Sequence, residues 1–387
     1  MSRREGQGRA LDIAVLFDAP EENWPSMDLA GEMLLDQWRS NQALGVAATR
    51  VVIRIPSIVR RLPMAPSRAF NADRAFARYL AYPLRAFAAR RAGRLFHVVD
   101  HSYAQLVHAL PGGRTGVYCH DLDAFRGLSS TENTADSFGR RTLARVLLRG
   151  MRAAAIVFHS TRAVGGALEN RGLVPRSRLV LAPYGVGPEF NEHPEPHEGA
   201  EAVLSSLAGR PFILHVGSEI ARKRLDVLFE VFARVRAVHP ELRLVQQGAA
   251  LSCAQRAHVE RLGIEDALVQ PPKLDRTALA GLYRRASVVL VTSEAEGFGF
   301  PVVEALACGA VVVASDLPVL REVGGRAVVY APMGDIPAWT ATVCRVLDEP
   351  GAAPPAVERV ARGRVFTWAE HARTLRDAYE SIAKRSG

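Results

Sequence analysis

The sequence predicts an α/β protein made of two doubly wound, Rossmann-like domains, each with a parallel β-sheet covered by helices on both faces. Short apolar, β-branched runs alternate along the 387-residue chain with longer amphipathic stretches. Near-continuous apolar strands of this kind are typical of parallel sheets buried on both faces. The strand-like runs form two series, and a proline-rich, acidic segment without apolar periodicity separates them.

The strand candidates divide evenly between the two series. The first six are DIAVLFD, RVVIRIP, LFHVVD, GVYCHD, AAIVFHS and RLVLAPYGV. The second six are FILHVGS, LRLVQQG, ALVQPP, VVLVTS, AVVVAS and AVVYAP. We therefore predict a first domain over residues 1–188, a linker over 189–204, a second domain over 205–365 and a C-terminal helix over 366–387.

Composition argues against several classes of protein. No apolar run approaches the ~20 residues that a membrane-spanning helix needs, and the N-terminus lacks a signal-peptide pattern. The cysteines at positions 119, 253, 308 and 344 form no C-x-x-C pair, which indicates reduced thiols rather than disulfides or a zinc site. We expect a cytoplasmic protein with no cofactor and no metal.

Positive charge is concentrated in the first half of the chain. The net charge is +9, and residues 50–94 contain eleven Arg and a single acid, Asp73, with five aromatic residues between Phe70 and Phe87. Arginines with this apolar spacing can lie on an anionic membrane surface. A solvated basic helix face in an Arg-rich chain is the alternative. No nucleic-acid-binding motif accompanies the segment, so we expect no nucleic-acid partner.

The stretch SEAEGFGFPVVEALACG, residues 293–309, indicates a ligand site. Gly297 and Gly299 allow a tight turn and a close approach of the backbone to a ligand. The helix that starts at Pro301 offers free amides that favour an anion. Glu296 and Glu304, with seven residues between them, could accept hydrogen bonds from sugar and ribose hydroxyls beside that anion. The alternative is a solvated loop acid and an acid that favours its helix dipole.

The stretch VGSEIARKRLDVL, residues 216–228, predicts a strand, a short loop and an amphipathic helix. Lys223 lies at the helix start and is one of only three lysines in the chain. A flexible ammonium group there could reach the oxygens of a diphosphate. The alternative is an exposed basic cluster of Arg222, Lys223 and Arg224 without a ligand. In both cases we expect the Lys223 side chain to be exposed and to contribute little to stability.

Together these residues resemble the retaining glycosyltransferases of family 4, whose GT-B fold has two Rossmann-like domains facing across a cleft. The two stretches above carry the likeness, which covers roughly residues 205–365. YCHDLDAF is similar to a His-Asp element of the family's first domain. FTWAEHARTLRDAYESI is similar to its last helix, which crosses back to that domain.

The resemblance implies a metal-independent, retaining hexosyltransferase that uses a UDP- or GDP-linked sugar donor. It implies that Lys223 holds the donor diphosphate, Glu296 contacts the transferred sugar and Glu304 binds the ribose. His120 would lie near the transferred sugar. The remaining implied donor-site residues are Gly217, Ser218, Gly297, Phe298, Gly299, Phe300 and Val303.

The first domain is implied to bind the acceptor, which would be a saccharide, a lipid-linked sugar or a small molecule. Such a reaction would serve cell-surface polysaccharide or glycoconjugate synthesis, in the cytoplasm or peripherally on the inner face of the membrane. Whether Glu296 attacks the sugar or only positions it stays open.

The sequence departs from the family pattern in two places. Ser218 stands where the family often has Arg, so Arg222 or Arg224 supplies the second cation, or none does. The region EENWPSMDLAGEML lacks the usual Gly-Gly pair. Asp121 and Asp123 form a D-x-D pattern, which binds a metal in another glycosyltransferase fold, and we interpret them as helix-start or acceptor-side acids.

Other functional classes remain as alternatives. One is a non-catalytic basic protein that binds membrane or nucleic acid on a GT-B scaffold. Others are a GT-B phosphorylase and a nucleotide-sugar epimerase. Within the first domain, a histidine at a strand end with both ring nitrogens hydrogen-bonded is the alternative interpretation of His120.

Overall fold

The computed structural model describes residues 10–59, 65–125, 128, 136–193 and 195–385. The chain divides into two compact units, Met1–Tyr184 with Trp368–Gly387, and Gly185–Thr367. Each unit contains a six-stranded parallel sheet with helices, which confirms the predicted doubly wound α/β fold class.

The first unit is built on one parallel sheet. Its strands are β1 (Leu11–Leu16), β2 (Val46–Val51), β3 (Leu95–Val98), β4 (Thr115–Cys119), β5 (Ile156–His159) and β6 (Leu179–Leu181). Their spatial order is β2-β1-β3-β4-β5-β6. The helices are α1 (Pro25–Ser40), α2 (Pro66–Phe76), α3 (Tyr82–Ala88), α4 (Asp136–Ala153) and α5 (Arg162–Asn170), and a π-helical turn, Ala77–Ala81, joins α2 to α3.

The C-terminal helix, Trp368–Arg385, packs in this first unit. The indole N–H of Trp38 donates to the carbonyl of Ala372 at 3.1 Å, and the hydroxyl of Tyr379 donates to the carbonyl of Phe96 at 3.0 Å. These buried hydrogen bonds join the C-terminal helix to α1 and to β3.

The second unit repeats the architecture. Its strands are β7 (Phe212–Val216), β8 (Arg243–Gln247), β9 (Leu268–Val269), β10 (Val288–Val291), β11 (Val312–Ser315) and β12 (Val329–Ala331), in the order β12-β11-β10-β7-β8-β9. Its helices are α6 (Glu198–Ser206), α7 (Leu225–Val238), α8 (Cys253–Leu262), α9 (Arg276–Arg285), α10 (Phe300–Ala307), α11 (Pro318–Gly324), α12 (Ile336–Asp348) and α13 (Ala356–Gly363). Helix α6 begins inside the segment 189–204 that the sequence predicts as a linker, and Pro194 lies outside the described residues.

The core of the second unit explains why these residues form strands and helices. Ile213, Leu244 and Leu290 of three neighbouring strands are fully buried, and Phe229 and Phe232 of α7 belong to the same apolar cluster. Strands with side chains buried on both faces read as continuous apolar runs, which is the pattern in the sequence.

Strand order places one switch point in each sheet. In the second unit the order reverses between β7 and β10, and in the first unit it reverses between β1 and β3. Loops that leave two neighbouring strands in opposite directions open a crevice at their carboxyl ends, where ligands bind in open α/β sheets. Among the described residues, no helix combines the length and the apolar character needed to cross a membrane.

Candidate functional site

Two loops meet at the switch point of the second unit. The loop after β7 contains Gly217 and Lys223, and the loop after β10 contains Ser293 and Glu296. The backbone N–H of Glu294 donates to the carbonyl of Arg222 at 2.8 Å, and the hydroxyl of Thr292 donates to the carbonyl of Lys223 at 3.0 Å. These bonds hold the two loops side by side.

A buried ion pair joins the loops through their side chains. The Nζ of Lys223 lies 2.6 Å from Oε1 of Glu296, and the exposed side-chain fractions are 12% and 6%. The hydroxyl of Ser293 donates to the same oxygen at 2.7 Å. Burial by itself raises the pKa of Glu296, but the charges of Lys223 and Arg222 hold it below its usual value. Glu296 is therefore ionised and fixed in position.

The expectation that Lys223 is exposed is wrong. A 3₁₀ turn over Ala221–Lys223 is followed by Arg224 in a left-handed conformation, with φ of 50°. This turn directs Lys223 towards Glu296 instead of towards solvent. The contact could not be read from the sequence because the two residues are 73 positions apart.

The arginines beside Lys223 have different partners. Arg222 donates to the carbonyl of Ala295 at 2.9 Å and lies 3.4 Å from Oε2 of Glu296. Arg224 instead pairs with Asp226 at 2.7 Å and lies 3.7 Å from Glu294. Arg222 is therefore the arginine that accompanies the Lys223–Glu296 pair.

A hydrogen bond from the neighbouring strand β8 holds the start of the loop after β7 in place. The half-buried Gly217 and Ser218 follow β7, and the side-chain amide of Gln246 donates to the carbonyl of Gly217 at 3.2 Å. A Cβ at Gly248 would lie 1.9 Å from that carbonyl oxygen, so only glycine fits there. Sequence reasoning missed Gln246 and Gly248, for which the sequence offers no motif.

The glycine-rich loop leads into α10. Gly299 has φ of 93°, a backbone conformation that favours glycine, and a Cβ there would lie 2.7 Å from Cδ2 of Leu320. Gly297 and Phe300 flank it and are half-buried. The first amides of α10 are thereby presented at the carboxyl edge of the sheet.

Two of the residues implied by the resemblance have buried side chains. The Phe298 ring packs against the rings of Phe300 and Phe366, with centroids 5.3 Å and 5.4 Å away, and Val303 is fully buried in α10. Both side chains therefore pack in the core, and their backbone is the part that a ligand could contact.

Glu304 is a buried carboxyl group on α10. Its side chain accepts a hydrogen bond from the hydroxyl of Tyr283 at 3.3 Å. Burial raises the pKa of Glu304 to about 7, although the nearby charge of Arg276 lowers it. Arg276 itself pairs with Glu189. Sequence reasoning found Glu304 but missed Tyr283 and Arg276, which lie on α9 without a recognisable motif.

His120 follows β4 in the first unit and is buried. Its Nε2 lies 2.8 Å from the carbonyl of Val99, and its Nδ1 is hydrogen-bonded to the hydroxyl of Tyr184. Burial lowers the pKa of His120, which favours the neutral ring. In the neutral tautomer that fits, Nε2–H donates to Val99 and Nδ1 accepts from Tyr184.

The switch point of the first unit holds acidic residues that sequence reasoning missed. Asp18 follows β1 and Asp100 follows β3. Asp18 is 2% exposed, and its carboxyl oxygens accept no hydrogen bond from the described residues. Burial and the neighbouring Asp100 raise the pKa of Asp18 well above its usual value. An acid directly after each of the runs AVLF and FHVV was the signal available in the sequence.

Asp100 differs from Asp18 in its partners. It lies 3.0 Å from Nδ1 of His101 and accepts a hydrogen bond from the backbone N–H of Ser102 at 3.0 Å. Although burial raises the pKa of Asp100, these partners hold it well below its usual value. Asp18 therefore favours the protonated form and Asp100 favours the ionised form, at one edge of the sheet.

Asp121 and Asp123 form a local turn. The backbone N–H of Asp123 donates to Oδ1 of Asp121 at 3.0 Å. In the part of the chain that the structure describes, no group of three or more His, Cys, Asp or Glu side chains could hold a metal ion.

The comparison with protein families concerns the second unit. Residues 201–360 match the family described as "Glycosyl transferases group 1". The D-inositol 3-phosphate glycosyltransferase of Xylanimonas cellulosilytica is 33% identical over 224 residues, covering 54% of this chain and 52% of that protein. That of Mycolicibacterium smegmatis is 32% identical over 213 residues, covering 53% and 48%. The chain thus matches about half the length of these curated relatives.

Solved structures extend the likeness of fold to nearly the whole chain. Sucrose-phosphate synthase from Thermosynechococcus elongatus has a TM-score of 0.66 at 19% identity, covering 97% of each chain. The Anabaena HepE protein, solved in complex with UDP and glucose, has a TM-score of 0.65 at 15% identity, covering 97% of this chain and 98% of that one. At such identities the likeness concerns the fold alone. Residues 201–360 therefore match the group 1 glycosyltransferases, and the chain as a whole has the GT-B fold.

Proposed function

We propose that the protein transfers a hexose from a UDP- or GDP-linked sugar to an acceptor, with retention of configuration at the sugar. The observation that carries this proposal is the set of charges at the switch point of the second unit. Lys223 and Arg222 lie there with the buried, ionised Glu296. Two cations suit a diphosphate, and a fixed carboxylate suits sugar hydroxyls.

Binding of the donor would separate Lys223 from Glu296, because the diphosphate would bind one side chain and the sugar the other. Without donor, Glu296 compensates the charge of Lys223. With donor, the diphosphate would take up the Lys223 ammonium group and the first amides of α10, and Glu296 would accept hydrogen bonds from the sugar. As the sugar–phosphate bond breaks, negative charge grows on the leaving oxygen, and preplaced cations stabilise it without reorganisation.

The anchoring of Glu296 favours a positioning role in retention. Lys223 and Ser293 both bind the oxygen Oε1. A carboxylate held this way can orient the sugar and stabilise an oxocarbenium-like transition state. The leaving phosphate would then accept the acceptor's proton on the same face of the sugar. In this scheme the cations and amides meet the diphosphate, so we propose that no divalent metal is required.

The acceptor is proposed to bind the first unit, at the edge that carries Asp18 and His120. A carboxyl group whose oxygens accept no hydrogen bond from the described residues suits the hydroxyls of a saccharide, a lipid-linked sugar or another small molecule. The curated relatives are named for D-inositol 3-phosphate, which makes a phosphorylated acceptor one member of this class. Cytoplasmic synthesis of cell-surface polysaccharide or glycoconjugates is the proposed setting.

The phosphorylase alternative is disfavoured by the positions of the remaining lysines. Such an enzyme needs a buried lysine for pyridoxal phosphate. Lys273 is exposed, and Lys384 is an exposed residue of the C-terminal helix that pairs with Glu380 at 3.1 Å.

The proposed function is tested by nucleoside-diphosphate binding and donor turnover in excess EDTA. We expect one of UDP, GDP, ADP and dTDP to raise the melting temperature, because a ligand that binds only the folded state stabilises it by mass action, by about 2.7 kcal/mol at 100 Kd. The matching sugar donor should release its diphosphate at the same rate in EDTA. Turnover that requires manganese would contradict metal independence. Absence of any diphosphate binding would favour the non-catalytic scaffold.

Glu304 predicts a pH dependence of donor binding. A carboxyl group with a pKa of about 7 is mostly protonated at pH 6 and mostly ionised at pH 8. The ionised form is the better acceptor for ribose hydroxyls, so we expect the affinity for the nucleoside diphosphate to rise about tenfold between pH 6 and pH 8. Isothermal titration calorimetry at both pH values measures this change.

Glu304→Gln supplies the control for that measurement. The variant should bind about tenfold more weakly at pH 8 and should show only the smaller pH dependence that comes from the phosphate itself. An identical pH profile in the wild type and in Glu304→Gln would place the titrating group elsewhere.

A further inference from the structure

The segment Pro66–Ala88 of the first unit presents an apolar face to solvent. The segment carries five exposed large side chains, Phe76, Tyr79, Leu80, Leu84 and Phe87, whose exposed fractions run from 41% for Phe76 to 64% for Leu84. Apolar side chains scattered singly on a surface need no explanation, but a contiguous patch marks an interaction site.

The buried face of the same segment is made of different residues. It consists of Ala69, Asp73, Ala77, Tyr82 and Ala86, which follow one another at intervals of four, four, five and four. The five-residue interval coincides with the π-helical turn Ala77–Ala81, which keeps both Ala77 and Tyr82 on the face that packs against the unit. The segment therefore directs five large apolar side chains outwards, while Tyr82 is the large side chain on its buried face.

The exposed charged side chains of this segment and of the residues just after it have one sign, because the side chain of Glu22, which lies near Arg74 and Arg78, is buried. Arg68, Arg85, Arg90 and Arg91 are exposed on or beside the segment, and the Arg90 guanidinium lies 4.4 Å from the centre of the Phe87 ring. The one acid between residues 50 and 94, Asp73, is buried and accepts backbone hydrogen bonds from Ile58 and Val59. Arg60 and Arg61, two of the eleven arginines between residues 50 and 94, lie outside the described residues.

We propose that this face, Phe76, Tyr79, Leu80, Leu84 and Phe87 with the surrounding arginines, docks the protein on an anionic lipid bilayer surface. Helices that lie in the membrane interface bury aromatic and aliphatic side chains among the acyl chains, while arginines meet anionic headgroups. The inference does not depend on the reaction proposed above, because it rests on side chains outside the donor site.

A second copy of the chain fits this face less well. Symmetric pairing would place the same face on both partners and would bring the arginines together, and the exposed part of the segment has no acid to compensate them. An anionic bilayer supplies both the apolar layer and the opposite charge.

The test is co-sedimentation of the full chain with lipid vesicles. Vesicles of phosphatidylcholine containing about a third phosphatidylglycerol should bind at least tenfold more protein than neutral phosphatidylcholine vesicles, and 0.5 M NaCl should reduce that preference. Equal binding to the two kinds of vesicle would overturn the proposal.

Two double variants separate the apolar and the electrostatic contributions. Leu84→Ser/Phe87→Ser should lower binding to the anionic vesicles at least tenfold. Arg85→Glu/Arg90→Glu should abolish the preference for anionic over neutral vesicles. The matched controls replace exposed residues elsewhere, Val357→Ser/Val365→Ser and Arg171→Glu/Arg176→Glu, and should bind within twofold of the wild type.

Folding and self-association are monitored in the same samples. Both double variants should keep the wild-type melting temperature and the stabilisation by nucleoside diphosphate, so that loss of vesicle binding is distinct from loss of donor binding. Unchanged vesicle binding in both double variants would overturn the proposal. A dimer that Leu84→Ser/Phe87→Ser converts to a monomer, without vesicle binding, would also overturn it and would assign the face to a second copy.

Discussion

Replacement of Lys223 by alanine is expected to lower kcat about a hundredfold or more, because the ammonium group would stabilise charge that appears only as the donor bond breaks. The variant should also weaken nucleoside-diphosphate binding. In addition it should destabilise the second unit by about 3 kcal/mol, since it leaves Glu296 buried without its main partner. Steady-state kinetics, diphosphate titration and urea unfolding measure the three effects.

Two further variants bracket the role of the charge on Lys223. Lys223→Arg should recover part of kcat, because the charge is kept but the compact ammonium group is not. Lys273→Ala, a change at an exposed lysine of the same unit, should alter neither kcat nor stability. Near-normal kcat and diphosphate affinity in Lys223→Ala would make Arg222 the phosphate-binding cation instead.

Glu296 tests the same interaction from the other side. Glu296→Gln should slow turnover while diphosphate affinity stays equal or rises, because Lys223 is released from its carboxylate. The double variant Lys223→Ala/Glu296→Gln should lose less unfolding free energy than the sum of the losses in the two single variants. Each single variant leaves one charged side chain buried without its partner, and the double variant leaves neither. Strict additivity would mean that the 2.6 Å contact contributes nothing to folding.

The second large effect concerns acid stability of the first unit. Burial lowers the pKa of His97 to about 3 and that of His371 to about 4. The unfolded chain protonates these rings near pH 6.5. The folded state therefore has its full free energy of unfolding above pH 6.5, where both rings are neutral in the folded and the unfolded chain. This free energy decreases as the pH falls from 6.5 towards 3–4, because in that range only the unfolded chain takes up the protons. Each ring should contribute a loss of about 2 kcal/mol between pH 7 and pH 5.

A comparison of variants isolates this contribution. Asp18 and His101 have raised pKa values and act with the opposite sign, so the net slope of the wild type combines several groups. Between pH 7 and pH 5, the unfolding free energy of the wild type should fall by about 4 kcal/mol more than that of His97→Asn/His371→Asn. Urea unfolding at both pH values measures the difference.

The control for the acid experiment is His193→Asn, which replaces a histidine whose side chain is 76% exposed. This variant should follow the wild-type pH dependence. Parallel pH profiles of the wild type and the double variant would show that His97 and His371 do not have depressed pKa values.

The sequence by itself determined the fold class and part of the proposed donor site. Apolar runs of strand length that alternate with amphipathic stretches predict parallel sheets. Strands buried on both faces carry apolar residues at successive positions instead of alternating apolar and polar residues. Gly297, Gly299 and Glu304 could be recognised because the turn, the helix start and the carboxylate are neighbours along the chain. The conformation of such a loop depends on residues that are close together in the sequence, so it can be inferred from the sequence.

Tertiary structure alone decided which charges meet and which faces are covered. The burial of Lys223 against Glu296 depends on β7 and β10 being neighbours in the sheet, and the juxtaposition of Asp18 with Asp100 depends on β1 lying beside β3. The outward direction of Leu84 and Phe87 depends on the π-helical turn that sets the register of the buried face. An amphipathic pattern fixes how side chains divide around a helix, but only packing against the rest of the unit selects the face that is buried.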